Sequence, residues 1–280
     1  RRGGGDYQKL YAGDSDIRFT EYGGKMDSAY WKEQKKYLQL TRKHMWNEDY
    51  FAFLVRSVWK LKPDADILDL GCGYGDLCAR LLPLLSEKST YTGVDFCREL
   101  LEEGRKRFGS DSDRIRFIES DINEFVPERT FDVVICQSFL RHISNVENIL
   151  KKMCDCASDG GIVICIEPDR RMEHAGVYQD DPGYDMFEYD DFLKEKWMNE
   201  FQKGERDFRV GMKIPIYMER LGLQNVGVRV NDYVEFISPG QDGEQYIEHL
   251  EAFGETTSEN DGKHSIVSAK CHLISFGRKK

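Results

Sequence analysis

Proline is scarce in this sequence, and long apolar runs are missing from it. The 280 residues include only seven prolines, and no stretch of about 18 uninterrupted apolar residues occurs, so we expect no transmembrane helix and no membrane partner. The first residues lack the apolar block of a secretory signal, and we therefore expect a cytoplasmic protein. Because 40% of the residues are hydrophobic, the chain can build one large α/β domain with elaborations, or two small ones.

Cysteine pairs of the kind that hold metal ions are also missing. None of the eight cysteines belongs to a C-x-x-C pair, and the close pair Cys154 and Cys156 has no histidine nearby in the sequence. We therefore expect no metal site. Without an export signal, the free thiols suit a reducing compartment.

Positive charge is under-represented. The chain has 40 lysines and arginines against 50 aspartates and glutamates, which gives a net charge of −10. A surface this acidic repels a phosphate backbone and disfavours nucleic acid as a partner, although such acidity is also ordinary for cytosolic enzymes. The short basic end at 278–280 is too small to reverse this balance.

What the sequence does contain is a regular alternation of apolar runs and amphipathic segments. This order predicts parallel strands joined by crossover helices. Runs such as Val133-Val134-Ile135-Cys136 lack polar alternation, which is typical of strands covered on both faces. The predicted core strands are 66–70, 90–95, 114–119, 131–136 and 161–167, with helices at 75–85, 97–108 and 145–157. Beyond them we predict helices at 192–202, 211–222 and 242–254 and strands at 225–236 and 264–276.

The most informative stretch is the turn that follows the first predicted strand. After Asp69 and Leu70, the chain passes through Gly71, Gly73 and Gly75 in a G-x-G-x-G spacing. Glycines let the backbone approach a ligand closely, and the following helix start presents unpaired N–H groups. Dinucleotide binders use G-x-G-x-x-G, and here the third glycine of that pattern is replaced by Asp76. A carboxylate at this position repels a pyrophosphate and suits a ligand that carries an ammonium or a sulfonium, which disfavours a nicotinamide dehydrogenase.

Five segments together resemble the class I S-adenosylmethionine (SAM)-dependent methyltransferases. They occur in the order and at the distances usual in that family, at residues 69–75, 91–95, 116–122, 131–136 and 160–168. The run 211–222 is also similar to bacterial members of the family. The resemblance implies an enzyme with a Rossmann-like seven-stranded sheet, mostly parallel with the last strand antiparallel. It implies SAM as the cofactor and S-adenosylhomocysteine (SAH) as the product.

The resemblance also implies which residues hold the donor. Asp95 ends the second strand, where its carboxylate can accept both ribose hydroxyls, or can simply cap the next helix. Asp121 and Ile122 are expected at the adenine. Asp69 is expected to order the glycine turn and to meet the methionine ammonium. The remaining residues of the predicted cofactor site are Gly71, Cys72, Gly73, Phe96, Leu100 and Gln137.

The acceptor side is less defined by the sequence. His142 follows the fourth strand and is a candidate general base, although a structural hydrogen bond is an equally simple role for it. Aromatic residues suggest a pocket for a flat, apolar or cationic small molecule. Candidate pocket residues are Tyr22, Tyr30, Trp46, Glu167 and Tyr184. The run Cys136-Gln137-Ser138-Phe139 lacks the Asn/Asp-Pro-Pro-Tyr/Phe motif, which argues against methylation of base amino groups.

These observations predict a four-part organisation and one leading function. The parts are a helical N-terminal cap (1–60), the SAM-binding core (61–168), an inserted lid (169–208) and the C-terminal part of the sheet (209–280). We expect a methyltransferase that acts on an O, N or C nucleophile of a small molecule. The alternatives are a protein or tRNA methyltransferase, and a SAM-binding regulatory protein without turnover. An aromatic N-terminal helix could also mediate a homodimer.

Overall fold

The structure is a computed structural model. It describes residues 28–109, 114–169, 172, 177–179, 198–199, 202, 207, 209–238, 265–269 and 271–280, with only the backbone described at 177–179. Tyr22, Tyr184, the predicted helix at 242–254 and most of the predicted lid therefore lie outside the described residues.

A seven-stranded sheet forms the centre of the molecule. Its strands are β1 (Asp66–Leu70), β2 (Thr90–Asp95), β3 (Ile115–Glu119), β4 (Phe131–Gln137), β5 (Ala157–Pro168), β7 (Gln224–Val230) and β10 (His272–Arg278). They are ordered β3-β2-β1-β4-β5-β10-β7. The first five in this order are parallel to one another, whereas β10 is antiparallel to both β5 and β7. This confirms the predicted Rossmann-like sheet.

Helices cover both faces of this sheet because successive strand residues point to opposite sides. Ile67 and Ile135 belong to one buried apolar cluster, and their neighbours Leu68 and Val134 belong to the other. The helices of the core are α4 (Asp76–Leu81), α5 (Arg98–Phe108), α6 (Val146–Cys156) and α7 (Val210–Arg220). Between β4 and α6, residues Leu140–His142 form a single 3-10 turn.

Among the described residues, which begin at 28, three short helices precede the sheet. They are α1 (Ser28–Glu33), α2 (Lys35–Lys43) and α3 (Glu48–Phe53), and α3 continues into a π-helical turn at Leu54–Val58. Aromatic rings fix this segment to the core: Phe51 lies edge-on to Trp46 and to Trp59, with ring centroids 5.0 Å and 5.8 Å apart. All three rings belong to the same buried cluster as Ile67. In the described part of the chain, no helix combines the length and the hydropathy needed to cross a bilayer.

A second, three-stranded antiparallel sheet was not predicted. It contains β6 (Val177–Gln179), β9 (Ile266–Ala269) and β8 (Val234–Ile237), in that order. Its presence corrects two predictions, because the strands expected at 225–236 and 264–276 are each divided between the two sheets. Asn231 lies at the division: its Nδ2 donates to the carbonyl of Met45 at 2.9 Å, and its Oδ1 accepts the His272 N–H at 2.8 Å. The His272 N–H is thereby bonded to a side chain and not to the backbone of the neighbouring strand.

Candidate functional site

A cavity of about 350 Å³ lies at the carboxyl ends of β1, β2 and β4, where the strand order of the sheet reverses. Ligands of open parallel sheets bind at this position. The volume is at the low end of the range for ligand pockets. The residues predicted to bind a cofactor that line this cavity are Gly71, Cys72, Gly73, Asp95, Phe96, Leu100, Asp121, Ile122 and Gln137. His142 lines it as well.

The glycine turn forms one wall of the cavity. Gly71, Gly73 and Gly75 have φ angles of 74°, 54° and 80°, in the left-handed region that favours glycine. The N–H groups of Gly71 and Cys72 donate to the Val94 carbonyl at 2.8 Å and 3.1 Å, which anchors the turn to β2. A side chain at Gly71 would collide with Phe139, since a Cβ there would lie 2.5 Å from Cδ2 of that ring.

The carboxylate of Asp95 joins the glycine turn to the start of α5. Its Oδ2 accepts the Gly73 N–H and its Oδ1 accepts the Cys97 N–H, both at 2.9 Å. Burial raises the pKa of this carboxyl group, and the bonds from Cys97 and Gly73 oppose that shift. Asp95 therefore makes the backbone contacts of a capping residue and also faces the cavity, so its predicted ribose role stays a prediction.

A second acidic residue, Asp121, lies at the opposite wall beyond β3. Its Oδ1 accepts the N–H and the side-chain amide of Asn123, at 2.8 Å and 2.9 Å, which closes a tight turn. Ile122 is buried beneath it, whereas 40% of the surface of Phe96 is exposed at the cavity. An apolar side chain and an accessible aromatic ring beside a carboxylate can hold a flat ring with a polar edge.

Asp69 lies beneath the glycine turn and not on the cavity wall. It is 1% exposed, and the hydroxyl of Tyr91 donates to its Oδ2 at 2.5 Å. Burial raises the pKa of Asp69 to about 7; the Tyr91 bond opposes the shift, and the charges of Asp95 and Asp76 add to it. Its other oxygen, Oδ1, is buried and has no hydrogen-bond partner among the described residues.

Three of the predicted pocket residues do not line this cavity, and their role at an acceptor stays a prediction. Trp46 is buried, and its indole N–H donates to Oε1 of the cavity residue Gln137 at 3.1 Å. Tyr30 is buried edge-on against Trp31, which lines the cavity in its place. Glu167 is fully buried and accepts the N–H groups of Phe139 and Leu140.

Asp76 does not act as the sequence suggested. Its carboxylate accepts from the guanidinium of Arg80 at 3.2 Å, and its side chain does not line the cavity. Arg80 also pairs with Glu48, so it shares its charge between two carboxylates. The acidic residues that line the described cavity are Asp95 and Asp121, and Asp69 is buried beneath its wall.

The N-terminal helices contribute residues that sequence reasoning missed. Trp31, Leu38 and Arg42 line the cavity from α1 and α2. Leu38 and Arg42 are four residues apart and thus share one face of α2. This spacing is the sequence signal that could have placed both residues on the same wall. Bonds hold this segment over the cavity: Lys35 pairs with Glu103 at 2.7 Å, and the Tyr74 hydroxyl donates to the Leu38 carbonyl at 3.3 Å.

His142 is already engaged by its neighbours. Its Nε2 accepts the Nε–H of Arg141 at 2.9 Å, and its ring lies edge-on to Trp31 with the centroids 5.1 Å apart. Because Nε2 is the acceptor, a neutral His142 carries its proton on Nδ1. A base role at Nε2 would first require Arg141 to leave.

Comparison with known proteins identifies the family. The family model described as "Methyltransferase domain" matches residues 61–205, slightly more than half of the chain. The chain belongs to the class I SAM-dependent methyltransferases. This agrees with the predicted family, and the match begins at the residue where we placed the start of the core.

Curated relatives are similar over part of their length. A demethylmenaquinone methyltransferase of Lysinibacillus sphaericus is 31% identical over 108 residues, which cover 38% of this chain and 46% of the relative. A ubiquinone biosynthesis O-methyltransferase of Rickettsia typhi is 27% identical over 154 residues, covering 50% of this chain and 61% of the relative. The chain thus spans about half to three-fifths of the length of these relatives.

Solved structures share the fold at low identity. Coclaurine N-methyltransferase, bound to N-methylheliamine and SAH, superposes with a TM-score of 0.51 and 14% identity, covering 98% of this chain and 89% of that chain. Phosphoethanolamine N-methyltransferase 2 of Haemonchus contortus, in complex with SAM, gives a TM-score of 0.51 and 15% identity, covering 82% of this chain and 52% of that chain. At these identities the likeness concerns the fold.

The residues around the cavity suit the family's cofactor. The left-handed backbone at Gly73 exposes main chain to the cavity, and acidic side chains lie on and beneath the walls. The unpartnered Oδ1 of Asp69 is the kind of buried acceptor that a ligand ammonium or a bridging water satisfies.

Proposed function

We propose that this chain transfers a methyl group from SAM to a small-molecule acceptor. The observation that carries the proposal is the glycine-walled, acidic cavity at the ends of β1, β2 and β4. Two features of the cavity support a SAM site in particular. Left-handed glycines let a ligand meet the backbone, and buried carboxylates favour a ligand with positive charge.

Each part of the donor has a counterpart among the described residues. We assign the ribose to Asp95, and the adenine to Asp121, Ile122 and Phe96. We assign the methionine ammonium to Asp69, directly or through water. Arg42 lines the cavity. Burial raises the pKa values of Asp69 and Tyr74, and the charge of Arg42 opposes both shifts, which places it near the same end. Its guanidinium suits the methionine carboxylate.

The acceptor is proposed to be small because the described cavity is small and closed by α1 and α2. The curated relatives carry the names of small-molecule quinone pathways, and the solved neighbours carry the names of N-methyltransferases. Those names include O and N acceptors. The proposal covers an O, N or C nucleophile, because an activated methyl group can be transferred to any of the three. The net charge of −10 further disfavours tRNA.

Methyl transfer requires the protein mainly to position the donor and the acceptor. SAM, when bound, supplies a methyl group that is already activated on a sulfonium. The chain must hold an acceptor in line with that group and exclude water. Trp31, Phe139 and Ile143 are the apolar wall residues suited to this task.

The proposal is tested by incubation with SAM and a panel of acceptors. The panel contains a hydroquinone, a catechol, a primary amine and a bulk tRNA, and the readout is SAH by mass spectrometry together with SAH affinity by calorimetry. SAH formed with a small acceptor supports the proposal. SAH formed only with tRNA, or binding without turnover on any acceptor, would favour the alternatives, and uptake of NADH without SAM or SAH would overturn the SAM site.

Asp95→Ala is expected to weaken SAH binding by about 1–3 kcal/mol, the range for a lost hydrogen bond to a charged group. Calorimetry measures this directly. Glu119→Gln, at an exposed carboxylate that ends β3 and pairs with Arg98, is the control and should bind as the unchanged protein does. Equal affinity in Asp95→Ala and the unchanged protein would reject the ribose assignment.

His142→Gln is expected to keep turnover within about tenfold, because Gln Oε1 can still accept from Arg141. Removal of a general base typically costs about 100-fold or more. Steady-state kinetics with an acceptor found in the panel distinguish the two roles. A loss of 100-fold with unchanged SAH affinity would establish His142 as the base instead.

A further inference from the structure

The chain segment after β4 forms a strained wall of the cavity. We call residues 137–142 the β4 turn; Gln137, Ser138, Phe139 and His142 all line the cavity from it. Ser138 has a φ of 50°, a left-handed conformation that is uncommon for residues other than glycine. Its N–H donates to the Ile166 carbonyl at 2.8 Å. Strain of this kind persists only where the surroundings impose it, and it concentrates at functional sites.

The side chain that bonds to this turn directly after Ser138 is Glu167, from the end of β5. Glu167 is 0% exposed, and its Oε1 accepts the N–H of Phe139 at 2.8 Å and that of Leu140 at 2.7 Å. Its backbone is fixed by pairing with Leu273 of β10. The carboxylate thus receives the first N–H groups of the 3-10 turn in the way an N-terminal cap does.

Two sets of contacts connect the β4 turn to other walls of the cavity. On one side, Phe139 packs so closely against Gly71 that no Cβ fits between them. On the other side, Arg141 donates to His142, whose ring meets Trp31. A displacement of the Phe139 and Leu140 backbone would therefore change two parts of the cavity at once. It would alter the contact between Phe139 and Gly71, and it would shift the His142 ring against Trp31.

We propose that Glu167 is a positioning residue of the donor cavity, whose buried carboxylate holds the β4 turn against the glycine turn. The proposal rests on the proposed SAM site. The charge matters because hydrogen bonds to an ionised acceptor are shorter and stronger than those to a neutral one. Loss of the acceptor would leave two buried N–H groups unpaired. Burial raises the pKa of Glu167 to about 7, while the bonds from Leu140 and Phe139 and the charge of Arg141 oppose this.

The test compares Glu167→Gln and Glu167→Ala with the unchanged protein, using SAH as the probe in calorimetry. We expect Glu167→Gln, which keeps an acceptor oxygen, to weaken SAH binding at least threefold. We expect Glu167→Ala to weaken it at least thirtyfold. Amide hydrogen exchange at Phe139 and Leu140 should be at least tenfold faster in Glu167→Gln than in the unchanged protein.

Asp132→Asn is the matched control. Asp132 lies at the opposite end of β4, and its carboxylate also accepts a backbone N–H, from Asp66 at 3.2 Å. This control should change neither SAH affinity nor exchange at Phe139 and Leu140. If Glu167→Ala does not fold, the SAH affinity of Glu167→Gln and its amide exchange at Phe139 and Leu140 decide the test.

Two results would overturn the inference: unchanged SAH affinity in Glu167→Gln, or an equal loss in Asp132→Asn. Failure of the unchanged protein to bind SAH would instead refute the SAM site itself. The two failures are therefore distinguishable.

Discussion

Gly71→Ala is expected to reduce SAH affinity about thirtyfold. A Cβ at this position would collide with the Phe139 ring, and such overpacking costs about 1–3 kcal/mol. Relief of the collision displaces the donor wall, and since each 1.4 kcal/mol is about tenfold in affinity, the middle of that range, about 2 kcal/mol, gives the predicted loss. The left-handed φ of 74° is strained for alanine by about 1–2 kcal/mol and lowers the stability of the variant in addition. Calorimetry with SAH measures the change.

Gly160→Ala separates the collision from the backbone strain. Gly160 has the same φ of 74°, but a Cβ built on it meets nothing within 4 Å. This variant should lose stability by about 1–2 kcal/mol and keep its SAH affinity. If Gly71→Ala bound SAH normally, or if Gly160→Ala lost as much affinity, the glycine turn would not be the donor wall.

Asp69→Asn is expected to flatten the dependence of stability on pH. The pKa of Asp69 is raised by burial from 3.8 to about 7 in the folded chain. The folded state therefore holds a proton that the unfolded state has released, so this group's contribution is complete below about pH 4 and is lost as the pH rises through about 7. Between pH 5 and pH 8 the unchanged protein should lose about 3 kcal/mol more unfolding free energy than Asp69→Asn. Urea denaturation at both pH values gives the difference.

Asp132 provides a control because its pKa is shifted in the direction opposite to that of Asp69. Its pKa is lowered despite its partial burial, because Lys62 and the Asp66 N–H stabilise the ionised form. Its contribution is present above its ordinary pKa and is lost as the pH falls, so Asp132→Asn should leave the slope between pH 5 and pH 8 unchanged. An equally steep slope in Asp69→Asn and the unchanged protein would show that Asp69 is ionised at pH 5 in the folded chain.

The sequence was sufficient where the relevant signal is local. The first strand was predicted at 66–70 and is found at Asp66–Leu70, because apolar residues at successive positions, here Ile67 and Leu68, mark a strand covered on both faces. The glycine turn could also be predicted from the sequence, since a left-handed backbone favours glycine at the required positions. Asp95 and Asp121 follow from the same logic, because residues at the ends of parallel strands converge on one edge of the sheet.

The sequence left open which partner each side chain finds. Trp46 was predicted in the acceptor pocket, and that role stays a prediction; the structure adds that its indole N–H bonds to Gln137, 91 residues later. Asp76 was expected to favour a ligand with positive charge, and its carboxylate accepts from Arg80. Burial and partner choice depend on the packing of whole elements, which periodicity does not specify.

By itself, then, the sequence determined the family, the seven-stranded sheet and the edge of the sheet at which the cavity lies, since strand faces, glycine turns and strand ends are encoded within a few neighbouring residues. Only the tertiary structure decided that Trp31 and Arg42 line the cavity, that the two last predicted strands divide between two sheets, and that Glu167 is buried and bonded to the backbone of Phe139 and Leu140. Those outcomes depend on contacts between segments far apart in the chain, whose geometry is set when the helices and sheets pack together.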